Sequence, residues 1–449
     1  MAADRQAGPP PPTATTPSPT RKEHCLKLHV ADRHWMPRML ALALALPIPR
    51  ASAQSAVPAP APPQSARPAV VATVPGMPPV ADAANLYSET TAAKLSPGVA
   101  HDLPRVYVPH VQSSDVYVID PETFKVIGKF NVGLNPQHVV PSWDLRTLWV
   151  ANNAENTNKG SVIPVDPKTG KAGKAIPVDD PYNMYFTPDG KSAIIVAEAM
   201  KRLDFRDPVT MNLQYSLDVP LCAGINHADF SIDGRHAIFT CEFAGTVAKI
   251  DMVNRKVLGY TQVVQPGRPT KVVKGPDGRD ETICTTWRGM PQDIRASPDG
   301  KLYYVADMMA DGVHIVDLET FRQVGFIETG KGTHGLYPSR DGTKLYVANR
   351  GSNKIHGAAK GKGGVSVIDF ATQKVVANWP IPGGGSPDMG NVSADGKWLW
   401  LSGRYDNVVY VFNTTSGEVK TIPVGKEPHG LTVWPQPGRY SLGHTGNLR

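Results

Sequence analysis

The sequence has only four cysteines among 449 residues, too few for a scaffold stapled by disulfides. It also lacks any apolar stretch near the ~18 consecutive residues of a membrane-spanning helix. No glycine-rich phosphate loop follows a strand, and no Gly-x-Ser-x-Gly elbow or His-Glu-x-x-His pair occurs. Those absences remove the usual signatures of nucleotide binding, of α/β-hydrolase serine chemistry and of helix-borne zinc. Lys-Gly-Lys-Gly-Gly at 360–364 is glycine-rich and basic, but no helix start follows it, so it reads as a loop.

Proline and glycine are plentiful, at 43 and 41 residues. Together they disfavour long helices and suit many short strands separated by turns. The length fits two or three domains, or one large all-β domain with tails.

The N-terminus reads as a leader. Residues 1–35 are Pro/Thr-rich and then basic, an upstream extension without apolar periodicity. Arg38, the run MLALALAL at 39–46 and Ala-Ser-Ala at 51–53 follow in the order of a secretory signal peptide. Cleavage is expected after Ala53, and with it a periplasmic or secreted location. Residues 1–53 hold seven Lys/Arg and three Asp/Glu, so the formal net charge falls from +7 to +3 without them. A nucleic-acid footprint is therefore not expected. From Gln54 to Val80 there are eight prolines among Ala, Val and Gln. This composition predicts a disordered tether, drawn from 54 to 100.

From about residue 105 a unit repeats. Ser/Thr-x-Asp-Gly turns stand at 187–190, 231–234, 297–300, 339–342 and 393–396, with a degenerate copy, Ser-Trp-Asp-Leu, at 142–145. Asp-Gly is expected to make a tight hairpin because both residues tolerate positive φ. Alternating strands follow: LWVAN at 148–152, IIVAE at 194–198, IFTCE at 238–242, YYVAD at 303–307, LYVAN at 345–349 and LWLSG at 399–403. VYVPH at 106–110 is a seventh copy. A further strand recurs as VYVID at 116–120, VIPVD at 162–166, VHIVD at 313–317 and VSVID at 365–369. A period of 40–50 residues predicts four-stranded propeller blades. The first blade lacks its innermost strand, and Gly-Leu-Thr-Val-Trp-Pro at 430–435 is its donor. The expected fold is an all-β, seven-bladed β-propeller over 101–449, closed by pairing N- and C-terminal strands.

The LYVAN and VSVID strands resemble the YVTN-repeat β-propeller family of secreted proteins over about residues 105–435. The repeat style is also similar to the propellers of nitrous-oxide reductase and of the d-type heme domain of nitrite reductase. The resemblance implies fold more than activity. Neither a cupredoxin signature nor Cys-x-x-Cys-His is present.

Aligning the blades places one polar residue just before each innermost strand: His138, Asn183, His227, Asp293, His334, Asp388 and His429. The ends of the second strands add an outer ring: His110, Asn152, Glu198, Glu242, Asp307, Asn349 and Gly403. The expected metal ligands are His138, His227, His334 and His429, for a transition metal or heme. Asp293, Asp388, Arg350 and Arg404 complete the expected cofactor site. Two readings fit this ring. Either the histidines hold a ligand, or they bond the backbone of neighbouring blades and have no other role.

Long loops at 152–161, 261–292 and 350–364 are expected on the histidine face. Lys354, Lys360, Lys362, Arg268, Lys271, Lys274 and Arg288 make them basic, which suits a small anionic ligand or cofactor or leaves merely solvated lysines. Cys222 and Cys284 are the expected disulfide, with Cys241 left as a buried thiol or a soft metal ligand. Three functions compete for a chain expected to be monomeric. They are a binding or interaction propeller with a periplasmic protein partner, a metal- or heme-handling protein, and a lactonase- or lyase-like enzyme using Asp293 or Asp388 as base.

Overall fold

The computed structural model describes residues 70–155, 157–275 and 278–449. The expected leader and cleavage site lie outside the described residues. Within them, seven four-stranded antiparallel sheets form the blades of a propeller. No described helix is long and apolar enough to cross a membrane.

Each blade runs from a fully buried innermost strand to a largely exposed outermost one. In blade two, Pro136–Pro141 and Leu148–Asn152 are buried throughout. In blade six the outermost strand, Lys374–Pro380, alternates exposed and half-buried. That gradient is the period-2 pattern of a sheet whose inner edge lines a channel and whose faces pack on neighbouring blades. Apolar side chains from adjacent blades meet in the interblade cores. Tyr337, Tyr346 and Val367 of blade six pack with Leu399, Leu401 and Phe412 of blade seven.

Ring closure is as expected. Thr432–Trp434 pairs with Arg105–His110, in the register Arg105↔Trp434, Val106↔Val433 and Tyr107↔Thr432. The borrowed strand leaves blade one without a free inner edge.

The Asp-Gly turns differ in mechanism from expectation. Only the glycine takes positive φ, +73° at Gly234 and +68° at Gly300, while the aspartate does not. The Ser231 hydroxyl donates to Asp233, and the same hydroxyl accepts from the His236 N–H at 2.9 Å. The aspartate therefore ties the turn together through its side chain. In the degenerate copy, Leu145 takes the glycine's place at φ +64°.

In the segment assigned to a tether, residues 70–100 are described and held against the propeller. Residues 70–90 lie across the Asp-Gly turns. The Val74 N–H donates to the Asp233 carbonyl, the Leu86 N–H to Pro298, and the Tyr87 hydroxyl to Ala296. Leu86 and Tyr87 are buried there, anchors that a count of prolines and alanines overlooks.

At its other end the chain also turns inward. After Trp434 the last fifteen residues double back into the channel. Ser441 bridges Leu448, and Gly443 bridges Tyr185 of an innermost strand. Ser441, His444, Asn447 and Arg449 are all buried.

Candidate functional site

The ring residues sit inside the innermost strands, at a bulge, and not before them. Pro136 pairs with Asn152 and His138 with Ala151, so two residues of the first strand oppose one of the second. The same shift occurs between Pro181 and Asn183, Thr333 and Gly335, and Pro387 and Gly390. A bulge re-aims side chains, and here it does so at the same height in blade after blade.

The expected single ring is two tiers. Pro136, Pro181, Ile225, Pro291, Thr333, Pro387 and Pro428 are equivalent, because each pairs with the last residue of its neighbouring strand. One residue later come Gln137, Tyr182, Asn226, Gln292, His334, Asp388 and His429. Two residues later come His138, Asn183, His227 and Asp293, then Gly335, Met389 and Gly430. His334, Asp388 and His429 thus belong to the outer tier and His138, His227 and Asp293 to the inner one. The signal was in the sequence: Pro-Gln-His at 136–138 has a residue that Pro-His at 428–429 lacks.

The second-strand ring changes too. Pro181 pairs with Ala197, and Ile225 with Cys241, so Glu198 and Glu242 lie one residue past the strand. Arg350 and Arg404 hold the equivalent position in blades six and seven. Carboxylates therefore stand on one side of the mouth and guanidiniums on the other.

On the guanidinium side the groups pair tightly. Arg350 Nη2 donates to Asp388 Oδ1 at 2.8 Å and also meets His334 Nε2. Nδ1 of His334 stands 2.8 Å from the same carboxylate oxygen. Arg404 reaches Glu427 at 2.9 Å and lies 3.8 Å from Asp388. Burial opposes the Asp388 charge, but Arg350 and the adjoining His334 and His429 outweigh it and hold its pKa well below the usual range. His334 is pushed down to about 4 by burial, reinforced by Arg350. Its Nε2 is engaged by Arg350, whereas its Nδ1 lies near the Asp388 carboxylate without hydrogen-bond geometry.

On the opposite side, burial pushes the Glu198 and Glu242 carboxyls up, with Glu242 adding to the effect at Glu198. Glu242 accepts from Asn226 Nδ2 at 2.9 Å. Asp180, next to them, rises to about 6 through burial.

Asp293 is engaged as mortar between blades. One oxygen accepts from the Ile294 N–H and the other from the Leu336 N–H of the next blade, both at 2.9 Å. Asp229 bonds the Ala296 N–H in the same way, and the Tyr185 and Tyr337 hydroxyls bond Ala228 and Gly390. Burial raises the pKa of Asp293 to about 6.

The channel histidines take no part in that mortar. His138 and His429 are fully buried, and neither ring nitrogen of either has a hydrogen-bond partner. His227 has Asn183 Nδ2 at 3.1 Å from Nδ1, and its Nε2 has no partner. His444, from the inserted C-terminal segment, joins them. Its ring centroid lies 4.0 Å from that of His138 and 4.6 Å from that of His227. The ligand atoms of His138, His227 and His444 all lie within 4.8 Å of one another. His429 adjoins this trio, 4.7 Å from His138 between centroids. Burial lowers the His138 pKa to about 3 and carries His227, His429 and His444 well below the ordinary value. All four imidazoles are neutral at neutral pH. Residue spacing missed His444 because it lies outside the repeat.

His110 stands elsewhere. Its Nδ1 lies 3.0 Å from Asp115 Oδ1, and its Nε2 accepts the Gly425 N–H. It is a latch between the two ends of the chain.

The cysteines pair differently from expectation. Cys222 and Cys241 form the disulfide, with Cα atoms 4.8 Å apart, and Cys284 is free and buried. Cys241 ends the strand beside which Cys222 turns. Cys284 follows a hairpin, Lys271–Lys274 with Asp280–Ile283, folded out of the long 261–292 loop. That hairpin helps to line a groove of about 1150 Å³ with Leu217, Leu258, Tyr260 and Phe326, on the outer strands of blades three to five. The 350–364 loop does cover the mouth, and the Tyr405 hydroxyl donates to its Lys354 carbonyl at 3.0 Å.

Residues 282–437, from blade five to the closing strand, match the family model described as YNCE-like beta-propeller. Antigen Lp49 of Leptospira interrogans is 26% identical over 235 residues, 41% of this chain and 48% of that protein. The chain thus spans about half the length of that relative. Among solved structures, a putative 6-phosphogluconolactonase from Bacteroides uniformis aligns with a TM-score of 0.53. It is 17% identical over 74% of this chain and 99% of that one. A functionally unknown protein from Desulfotomaculum acetoxidans aligns at 0.52, 14% identical, over 73% and 98% of the two chains. The dihydro-heme d1 dehydrogenase NirN, in complex with DHE, aligns at 0.50, 13% identical, over 76% and 80%. At these identities the shared property is the propeller fold.

Proposed function

We propose that the chain is an exported seven-bladed propeller that binds a small ligand, a metal ion or a cofactor, at the histidine end of its channel. The observation that carries this reading is the meeting of four neutral, buried imidazoles, six of whose eight ring nitrogens lack a hydrogen-bond partner. A buried polar atom without a partner costs about 1–3 kcal/mol, so several at one point imply that something satisfies them. The alternative use of these histidines, as bonds to the backbone of neighbouring blades, is taken by Asp229, Asp293, Tyr185 and Tyr337. Export is supported by the order of Arg38, the apolar run and Ala-Ser-Ala, and by the Cys222–Cys241 disulfide.

A hydrolytic role for Asp293 has less support, since both its oxygens are held by backbone N–H groups. A protein-interaction role draws on one feature, the groove beside the hairpin on the outer strands of blades three to five. Elemental analysis and an absorption spectrum of protein purified from its native compartment test the main reading. A bound metal or chromophore at near one equivalent is expected. Protein that carries neither, and acquires neither from its native extract, argues for the interaction role.

A further inference from the structure

We propose that His138, His227 and His444 form a three-imidazole site for one borderline transition-metal ion, and that the C-terminal segment inserts the third ligand from the far end of the channel. The proposal rests on the ligand-binding reading above and names the ligand's chemical class.

Size comes first. The imidazole rings meet at centroid distances of 4.0 and 4.6 Å, the spacing of rings in contact. A macrocycle has no room between them, whereas an ion does. Zinc-type ions hold imidazole nitrogens at about 2.0–2.1 Å, which puts the nitrogens of one site roughly 3.4 Å apart. Ligand atoms already within 4.8 Å of one another need to close in by only a fraction of that difference each.

The donor set decides the class. Three neutral nitrogens with no carboxylate among them suit Zn, Cu, Ni or Fe and do not suit Ca or Mg, which take oxygen. His429, beside His138, is placed to approach a fourth position, and its Nε2 lies 3.6 Å from Asp388. That carboxylate supplies nearby negative charge against the ion. His227 also has an orienting neighbour in Asn183.

The third ligand is held independently of the ring. Arg449 donates to Asp229 Oδ1 at 2.6 Å and Asn447 to the same oxygen at 3.1 Å. Tyr440 packs on Trp143, 5.5 Å between centroids. None of these residues offers a ligand atom to the cluster, yet all set the position of His444. With the segment withdrawn, His138 and His227 face an open channel, which is the ion's way in. Docking then completes the site and closes it.

The test titrates purified full-length mature protein with Zn²⁺ alone and, under reducing conditions, with Cu⁺ alone. Wild type is expected to bind one equivalent. His444→Ala should weaken binding at least 100-fold with the far-UV spectrum and melting cooperativity retained. Arg449→Ala, which removes no ligand atom, should weaken it about tenfold. His444→Gln, which fills the same space, should bind as poorly as His444→Ala and guards against a packing defect. If wild type binds tightly and both His444 variants match it, the third-ligand assignment is overturned while the ligand-binding reading stands. If wild type binds no Zn²⁺, Cu⁺, Ni²⁺ or Fe²⁺ but carries an organic chromophore, the metal site is wrong and the broader reading survives.

Discussion

Nε2 of His110 accepts the backbone N–H of Gly425 at 3.0 Å across 315 residues of sequence. On its other side, Nδ1 lies 3.0 Å from the Asp115 carboxylate, so the ring carries its proton on Nδ1. Burial lowers its pKa to about 4 against the opposing pull of Asp115. The unfolded chain takes up the proton near 6.5 and the folded one does so only near 4. Stability from this group is therefore complete above about pH 6.5 and is lost as pH falls towards 4, at up to about 1.4 kcal/mol per pH unit. His138, at about 3, and His334, at about 4, act in the same direction. Asp180 and Asp293, raised to about 6, act against it. Urea melts of metal-free protein between pH 7 and 4 should show stability falling, and His110→Gln should flatten the fall while lowering stability at pH 7. An unchanged slope in that variant would sink the assignment.

Two truncations separate ring closure from channel filling. Ending the chain after Gly425 removes Thr432–Trp434 and exposes the inner edge of blade one, so the product should aggregate or lose its cooperative melt. Ending it after Gln436 keeps the closing strand and removes only the inserted segment. That product should stay soluble and melt cooperatively at a lower temperature. Size-exclusion chromatography and thermal melts of the pair give the comparison, and equal behaviour contradicts it.

Asp229 anchors the inserted segment through a buried ion pair with Arg449. Asp229→Asn leaves a buried guanidinium without its counter-charge and should cost about 3–5 kcal/mol in urea melts. Asp229→Asn combined with Arg449→Met, which removes both charges and keeps an oxygen for the Ala296 N–H, should recover much of that loss. If the double variant is as unstable as the sum of its parts, the pair is not the cause.

Thiol counting checks the disulfide and the leader together. Denatured, unreduced protein without residues 1–53 should titrate one thiol, Cys284, and after reduction three. A chain that retains the leader adds Cys25 to both counts. Breaking the bridge with Cys241→Ser should lower stability by about 2–4 kcal/mol. Three free thiols in leader-free protein, or a single one that maps to Cys222 or Cys241, would refute the Cys222–Cys241 pairing.

Blade number, strand positions and the C-terminal donor strand were readable because the turn recurs six times and the alternating strand seven. Two-tier geometry was less readable. A one-residue bulge shifts which side chain sits at which height, and repeat alignment by histidine alone slides over it, merging His138 with His429. Non-repeating parts were the hardest. His444 has no counterpart in any blade, and Leu86 and Tyr87 hold an otherwise Pro/Ala-rich segment with two side chains. The disulfide was misassigned because loop length in sequence says little about which strand end a cysteine turns beside.

The closing strand also fixes a timetable. Synthesis delivers the outer strands of blade one before the other six blades, but its innermost strand, residues 432–434, only after them. Until they arrive, Val106 and Tyr107 present unpaired backbone along a buried-type edge, and the nascent chain holds six complete blades and one incomplete one. Folding to the final state is therefore a late, long-range event of high contact order. The same incomplete blade is the place where two growing chains would pair with each other by mistake. A helper that holds the chain during synthesis or transport would serve it best by covering that one strand.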